Sequence, residues 1–257
     1  MPQRTGLRKR EIVFAVAAGG LAAGAAALIL DDSNDGPMPF VAVAQPLNFN
    51  VAAFEEIASV GPQDVVVTVG GTQAISAEGA PEALNQFELV VEDGKLTIQP
   101  KEQFRRGFNW SRFDSLTFFV TVPRLESASL AGSGNIRVDK VEGDSFTGSI
   151  AGSGELAIAA MQVDEADFNI AGSGDVVAAG TARQARVSIG GSGEARAGGL
   201  RSQTASVSIV GSGDVELTVE DEAQIRIAGS GDVDINGPAR CSISQMGSGD
   251  VNCGDVD

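Results

Sequence analysis

The stretch IAGSGDV occupies Ile170–Val176 and returns unchanged at Ile227–Val233. Close copies begin at Leu130 (LAGSGNI), Ile150 (IAGSGEL), Ile189 (IGGSGEA), Ile209 (IVGSGDV) and Gln245 (QMGSGDV). The first glycine of each motif falls at 132, 152, 172, 191, 211, 229 and 247, so the copies are 18 to 20 residues apart. A period of that size held over seven copies is the signature of a solenoid in which each repeat makes one coil.

Whether the coil is helical or extended follows from the letters around each turn. Two positions before the first glycine stand Leu130, Ile150, Ile170, Ile189, Ile209 and Ile227. Four before stand Ala128, Gly148, Phe168, Val187, Val207, Ile225 and Ile243, and the residues between are polar. After the turn, Ile136, Leu156, Val176, Ala195, Val215, Val233 and Val251 form one apolar column. Val138, Ile158, Ala178, Ala197, Leu217, Ile235 and Cys253 form the next. Strict alternation marks half-buried strands. A weaker third side is expected at Val141, Met161, Leu200, Val219 and Pro238. The fold expected is therefore all-β: a single-stranded β-helix, or solenoid, with coils of 18–20 residues. Seven coils at about 4.8 Å each make a rod of roughly 34 Å.

In this frame the GSG letters are turn chemistry. A corner stacked on identical corners needs residues that tolerate positive φ and close backbone approach, and serine can bond back to the local backbone. A phosphate loop would need a lysine and a following helix, and a nucleophile elbow would need G-x-S-x-G and a base; the chain has no histidine.

The residues after the turns are Asn135, Glu155, Asp175, Glu194, Asp214, Asp232 and Asp250. Stacking sets them about 5 Å apart in a ladder. Two readings stand: a solvated acidic stripe that keeps the rod soluble, or a calcium ladder through Asp175, Asp214, Asp232 and Asp250. Calcium-binding β-rolls place their motif every nine residues, a spacing this chain does not follow. Apart from calcium, no cofactor is expected.

Cys241 and Cys253 lie six before and six after the last turn glycine, both toward the axis. They form a disulfide closing the terminal coil, the reading an exporting compartment favours, or two buried thiols.

The flanks differ in character. Residues 46–125 read as N-terminal coils and a cap, with strand-like Val65–Val69, Phe87–Val91, Lys95–Ile98 and Leu116–Val122, a tight turn at Asp93-Gly94 and one helical turn at Pro81–Leu84. Residues 126–257 are the GSG repeats. Within the first part, Lys101–Asp114 gathers Arg105, Arg106 and Arg112 with Phe108, Trp110 and Phe113. That composition suits a partner-binding loop, or a loop folded over the open end of the solenoid.

The net charge of −16 is uneven. Residues 1–30 carry +3, which leaves −19 for the rest. Nucleic acid is therefore no natural partner. The basic start leads into the uncharged run Ile12–Leu30, long enough to span a bilayer. Residues 1–30 read as an uncleaved membrane anchor or a cleaved signal, and 31–45 as an acidic, proline-containing linker. Either way the charge bias sends the remainder across the membrane.

With these pieces in hand the chain resembles the autotransporter-adhesin head (GIN) domain family of bacterial cell envelopes. The likeness covers about residues 46–257. It rests on Phe54–Ile57 (F-x-x-I), Asp64–Gly70 (DVVVTVG), Asp93–Ile98 (DGKLTI) and Val122–Gly134, where V-P-x-L runs into A-G-S-G. The resemblance implies an exported β-helical domain without a known catalytic residue, and supplies no binding residue to carry over. The function expected is a non-enzymatic envelope solenoid, adhesin-like or scaffolding, facing the periplasm from the inner membrane or lying at the outer surface. Its partners would be the membrane, through the N-terminal segment, and an envelope protein or glycan. The alternatives are a carbohydrate-active β-helix enzyme and a calcium-stabilised rod. A body of net −19 would repel the acidic polysaccharides that long β-helices often cleave.

Overall fold

The computed structural model describes residues 11–13, 51–105 and 116–254, with backbone only at 11–13 and 104–105. The rest of the candidate anchor or signal, the linker 31–45, residues 46–50, and Arg106, Phe108, Trp110, Arg112 and Phe113 lie outside the described residues, as does the side chain of Arg105. Among the described residues, no helix is long and apolar enough to cross a membrane.

The alternation seen in the sequence becomes a parallel β-solenoid of about six turns. Its regular part runs through β8 (Ser127–Gly132), β9 (Asn135–Val138), β10 (Val141–Gly152), β11 (Glu155–Gly172), β12 (Asp175–Gly191), β13 (Glu194–Gly211), β14 (Asp214–Gly229), β15 (Val233–Asn236), β16 (Arg240–Gly247) and β17 (Val251–Cys253). Each coil pairs in parallel with the next, and the turn glycines stay in register from Gly132 through 152, 172, 191, 211 and 229 to Gly247. Both inner columns are buried: Ile136, Leu156, Val176 and Ala195 are fully covered, as are Val187, Val207 and Ile225. Where one column carries a large ring its neighbour shrinks. A Cβ on Gly148 would strike the ring of Phe168 and the side chain of Leu156.

Differences in coil length are absorbed on the third side. Every register shift in the regular stack falls there, between Ile158 and Met161, Val177 and Ala179, Ala197 and Arg201, and Ser202 and Thr204. This is why that side is weakly periodic in the sequence. Val141, Met161, Leu200 and Val219 are buried as expected. Pro238 is not: it is exposed, and Ala239 turns inward in its place. The irregular coil also draws in a polar group. Ser202 is buried and its hydroxyl donates to the Thr218 carbonyl at 3.2 Å.

The glycine corner depends on two separate constraints. The first glycine has positive φ in all seven copies, from 126° at Gly172 to 143° at Gly229. A Cβ there would fall on the carbonyl oxygen of the glycine one coil back. That same oxygen accepts the backbone N–H of the next serine, as in Ser153 to Gly132 at 2.9 Å and Ser192 to Gly172 at 2.8 Å. The second glycine is required by closeness: a Cβ on Gly154 would meet the Gly134 carbonyl. The turn serines contribute chiefly their N–H. Their side chains are exposed, and among the described residues the hydroxyl contact recorded for them is Ser230 to Ser248 at 3.1 Å.

The N-terminal coils do not stack in chain order. β2 (Glu56–Gly61) and β3 (Asp64–Val69) lie directly on β8 and β9. β6 (Lys95–Pro100) and β7 (Thr117–Val122), although later in the chain, pair on the far side of β2 and β3. The Lys101–Asp114 excursion thus leaves this outer coil at the corner where the others carry their glycine turn. There α2 (Glu102–Arg105) begins it. Beyond that coil, β4 (Ala74–Glu78) and β5 (Phe87–Glu92) run antiparallel to β7 and β6. α1 (Pro81–Leu84) joins them, and Asp93 and Gly94, both at positive φ, make the hairpin turn expected from the sequence. β1 (Glu11–Val13) pairs antiparallel with β5. A disulfide joins Cys241 and Cys253 across the last coil, Cα to Cα 6.3 Å.

Two substitutions separate the corner constraints from ordinary glycine loss. Gly172→Ala combines positive φ with a backbone clash and is expected to cost about 3 kcal/mol or more. Gly190→Ala has nothing nearer than the Ile170 carbonyl at 3.9 Å and should stay within about 0.5 kcal/mol of the parent. Urea unfolding of the two variants checks this. Opening the disulfide with Cys241→Ser/Cys253→Ser should cost about 2–3 kcal/mol, read as early loss of amide protection in β16 and β17 before the central coils.

Candidate functional site

Two surfaces flank the glycine corner, one on each side, and their chemistry is opposite.

The side after the corner carries the acidic ladder. It begins one coil earlier than the sequence repeat, at Asp64. Asp and Asn use a side-chain oxygen to accept the backbone N–H of the ladder residue in the next coil. Asp64 Oδ1 accepts from Asn135 (3.1 Å), Asn135 Oδ1 from Glu155 (3.2 Å), Asp175 Oδ1 from Glu194 (3.2 Å), Asp214 Oδ1 from Asp232 (2.9 Å) and Asp232 Oδ1 from Asp250 (2.7 Å). Glutamate is one methylene too long for this bond. After Glu155 and Glu194 the next N–H turns to a glycine carbonyl instead, Asp175 to Gly154 at 3.0 Å and Asp214 to Gly193 at 3.2 Å. The ladder is thus part of the inter-coil bonding rather than a merely solvated stripe.

Its charge is handled unevenly. Arg196 reaches Glu194 (2.8 Å), Asp175 (3.2 Å) and Glu155 (3.4 Å), and Arg137 reaches Asp64 at 3.5 Å. Burial is the largest single influence on the Arg196 guanidinium and acts to lower its pKa. Glu194, Asp175 and Glu155 together outweigh it and hold the pKa above its ordinary value. Arginine is charged at any working pH, so the guanidinium stays a cation in this cluster. Further along, Glu216 and Asp234 occupy the outward column that Arg137 and Arg196 fill elsewhere. There Glu194, Asp214, Glu216, Asp232 and Asp234 line a cavity of about 250 Å³. Among the described residues no three acids or cysteines are placed to hold a metal ion. Of the residues expected as a calcium ladder, Asp175, Asp214 and Asp232 each commit one oxygen to the next coil, and Asp175 is also ion-paired.

The side before the corner carries the other surface. In four successive coils the outward residue just ahead of the first glycine is small: Ala131, Ala151, Ala171 and Gly190 are all exposed. Two residues earlier, the outward positions are Ser129, Ser149, Asn169, Ser188 and Ser208. Together these columns floor an open trough of about 520 Å³ that crosses six coils from Ala58 to Val210. Not one lining residue is charged. The trough ends where side chains grow: Val210 stands 63% exposed, and in the following coil Arg226 replaces the serine. Sequence reasoning missed this surface. Its signal was the A of A-G-S-G, an apolar letter at an outward position of the two-residue alternation.

The parallel β-solenoid thus carries a long open trough with no charge in its lining. The chain belongs to the family described as "Putative auto-transporter adhesin, head GIN domain", whose model matches residues 53–239. Its fold is similar to that of a putative adhesin from Bacteroides fragilis, at TM-score 0.73 and 22% identity over 81% of this chain and 95% of that one. It is also similar to a putative adhesin from Parabacteroides merdae (TM-score 0.64, 19% identity, 83% and 96% covered). A third similar structure is a putative lipid binding protein from Parabacteroides distasonis (TM-score 0.61, 23% identity, 81% and 95% covered). No curated protein matches the chain.

The ladder makes two predictions. Arg196→Gln should lower stability by about 1 kcal/mol at low salt, the pairs being partly solvated. The deficit should shrink in about 1 M salt, where the Debye length is near 3 Å. Glu216→Arg, which extends the Arg137–Arg196 column, should instead stabilise by about 0.5 kcal/mol, again screened by salt. Thermal melts at two ionic strengths test both.

Proposed function

We propose that this chain is a non-enzymatic, exported envelope protein whose solenoid presents an adhesive surface, with the uncharged trough as its contact face. The observation that carries the reading is the trough itself. It spans six coils at about 4.8 Å per coil, roughly 24 Å. Small Ala131, Ala151, Ala171 and Gly190 form the floor of its four middle coils, with the polar row Ser129, Ser149, Asn169, Ser188 and Ser208 beside them, and Val60 and Val210 stand at its two ends. Such a surface fits an extended, uncharged chain, because any charged ligand would lose solvation there without finding a counter-charge. The body's net −19 adds repulsion against anions. The lining carries no carboxylate or thiol, which fits binding better than turnover. Family membership supports the adhesive role, and the basic start followed by the apolar run Ile12–Leu30 supports export.

The test is surface protease treatment of intact cells making the full chain, read with an antibody to the repeats. Digestion from outside is expected. Protection until the outer membrane is breached would sink the adhesive reading. In the same cells, Ala171→Asp should abolish attachment to glycan- or matrix-coated surfaces while leaving the melting temperature within about 2 °C of the parent, since position 171 faces solvent.

A further inference from the structure

The two ends of the solenoid are finished differently. At the N-terminal end the parallel stack gives way to antiparallel β4 and β5, joined by α1. At the C-terminal end β16 pairs with β14 and β17 with β15, and no described strand lies beyond them. Ile243 is 48% exposed there, although Val187, Val207 and Ile225 above it in the same column are fully covered. Met246 is 80% exposed. Ile243 and Met246 are two of the three large exposed hydrophobics among the described residues, and both belong to this coil. The edge of β16 carries no proline, lysine or bulge, and Arg240 at its start is its one charged side chain.

We propose that this open coil is the interface for a second copy of the chain, joined tail to tail about a two-fold axis perpendicular to the solenoid. A two-fold turns the free parallel edge into an antiparallel pair. Matching inward residues with inward ones requires the axis to pass through a residue rather than between two. With the axis at Ile243, that residue meets Ile243 of the second copy, Cys241 meets Gln245, Ser242 meets Ser244, and Arg240 meets Met246. Each pair then lies on one face, and the exposed end of the Ile225 column is covered.

Charge selects the same strand. Arg240–Gly247 contains no acidic residue in a body of net −19, so two copies can meet here without the repulsion the ladder side would impose. At the N-terminal end the outermost strands run antiparallel to the stack, so a head-to-tail contact would not continue the parallel coil, and the two-fold pairing closes as a dimer. The N-terminal ends then point in opposite directions. Held at those ends, as the export reading has it, the dimer would join two surfaces; that consequence rests on the proposed function, while the dimer itself does not.

The test uses the full chain in detergent, its protein mass followed by light scattering across a dilution series. A reversible dimer is expected, and Ile243→Arg should weaken it at least about tenfold while leaving the melting curve unchanged at a dilution where both proteins are monomeric. A photo-cross-linking residue at position 246 should give a covalent dimer, and the same residue at position 210, two coils back from the open edge in the same column, should not. A monomer at every concentration, a dimer indifferent to Ile243→Arg, or equal cross-linking from 210 would each overturn the proposal. The second of these would place self-association elsewhere in the chain.

Discussion

The carbonyl of one turn glycine lies in the space that a Cβ would occupy on the turn glycine of the next coil. The coil spacing at the corner is therefore set by a backbone hydrogen bond that no other residue type admits. The first coil supplies the control. Its corner is Gly61-Pro62-Gln63 rather than G-S-G. Gly61 keeps a positive φ of 132° and so remains glycine. The position of the second glycine, where no matching glycine corner lies one coil back, accepts Gln63. Its buried amide donates to the Ser59 hydroxyl at 2.8 Å. Once the corners are locked, strands on either side inherit their register, and variation in coil length is pushed to the third side.

Stacking identical residues brings an electrostatic problem that the same geometry answers in part. A column of carboxylates would repel itself, yet each Asp or Asn in the ladder is the right length to take the next coil's N–H. Repulsion is traded against a charge-assisted hydrogen bond. Arginine at the adjacent outward position neutralises part of the remainder. The opposite side of the corner needs none of this, because the outward residues lining its trough are small, polar or apolar and none is charged. One corner thus separates a charged, self-bonded face from an uncharged, open one, and the open face is where a ligand can approach without displacing structural bonds.

Much of this was readable from the chain. The inward columns from Ile136 to Val233 and from Ala128 to Ile225 follow directly from alternation counted out from the glycines, because strand side chains have a period of two and the turns reset the count. The Asp93-Gly94 hairpin was equally plain, since only a turn with positive φ suits those letters between two strands. The candidate site was less legible. The ladder was visible as a row of acids, but its hydrogen bonds were not, since the difference between Asp and Glu matters only once the spacing of the next N–H is known. The trough was written in the repeated alanine, but a small outward residue becomes a floor only when neighbouring coils stack the same small residue beside it.

The sequence by itself determined the coil: its length, its two inner columns, its glycine corners and its acid row, all of which depend on neighbours within one repeat. Only the tertiary structure decided the order of stacking at the N-terminal end, where the coil of β6 and β7 lies outside the coil of β2 and β3 although it follows in the chain. It likewise decided the exposure of Pro238, the burial of Ser202 and the open end at Ile243. The physical reason is common to all of them. Residues that alternate alike along the chain differ only in what is stacked above and below, and that is fixed by contacts between segments far apart in sequence.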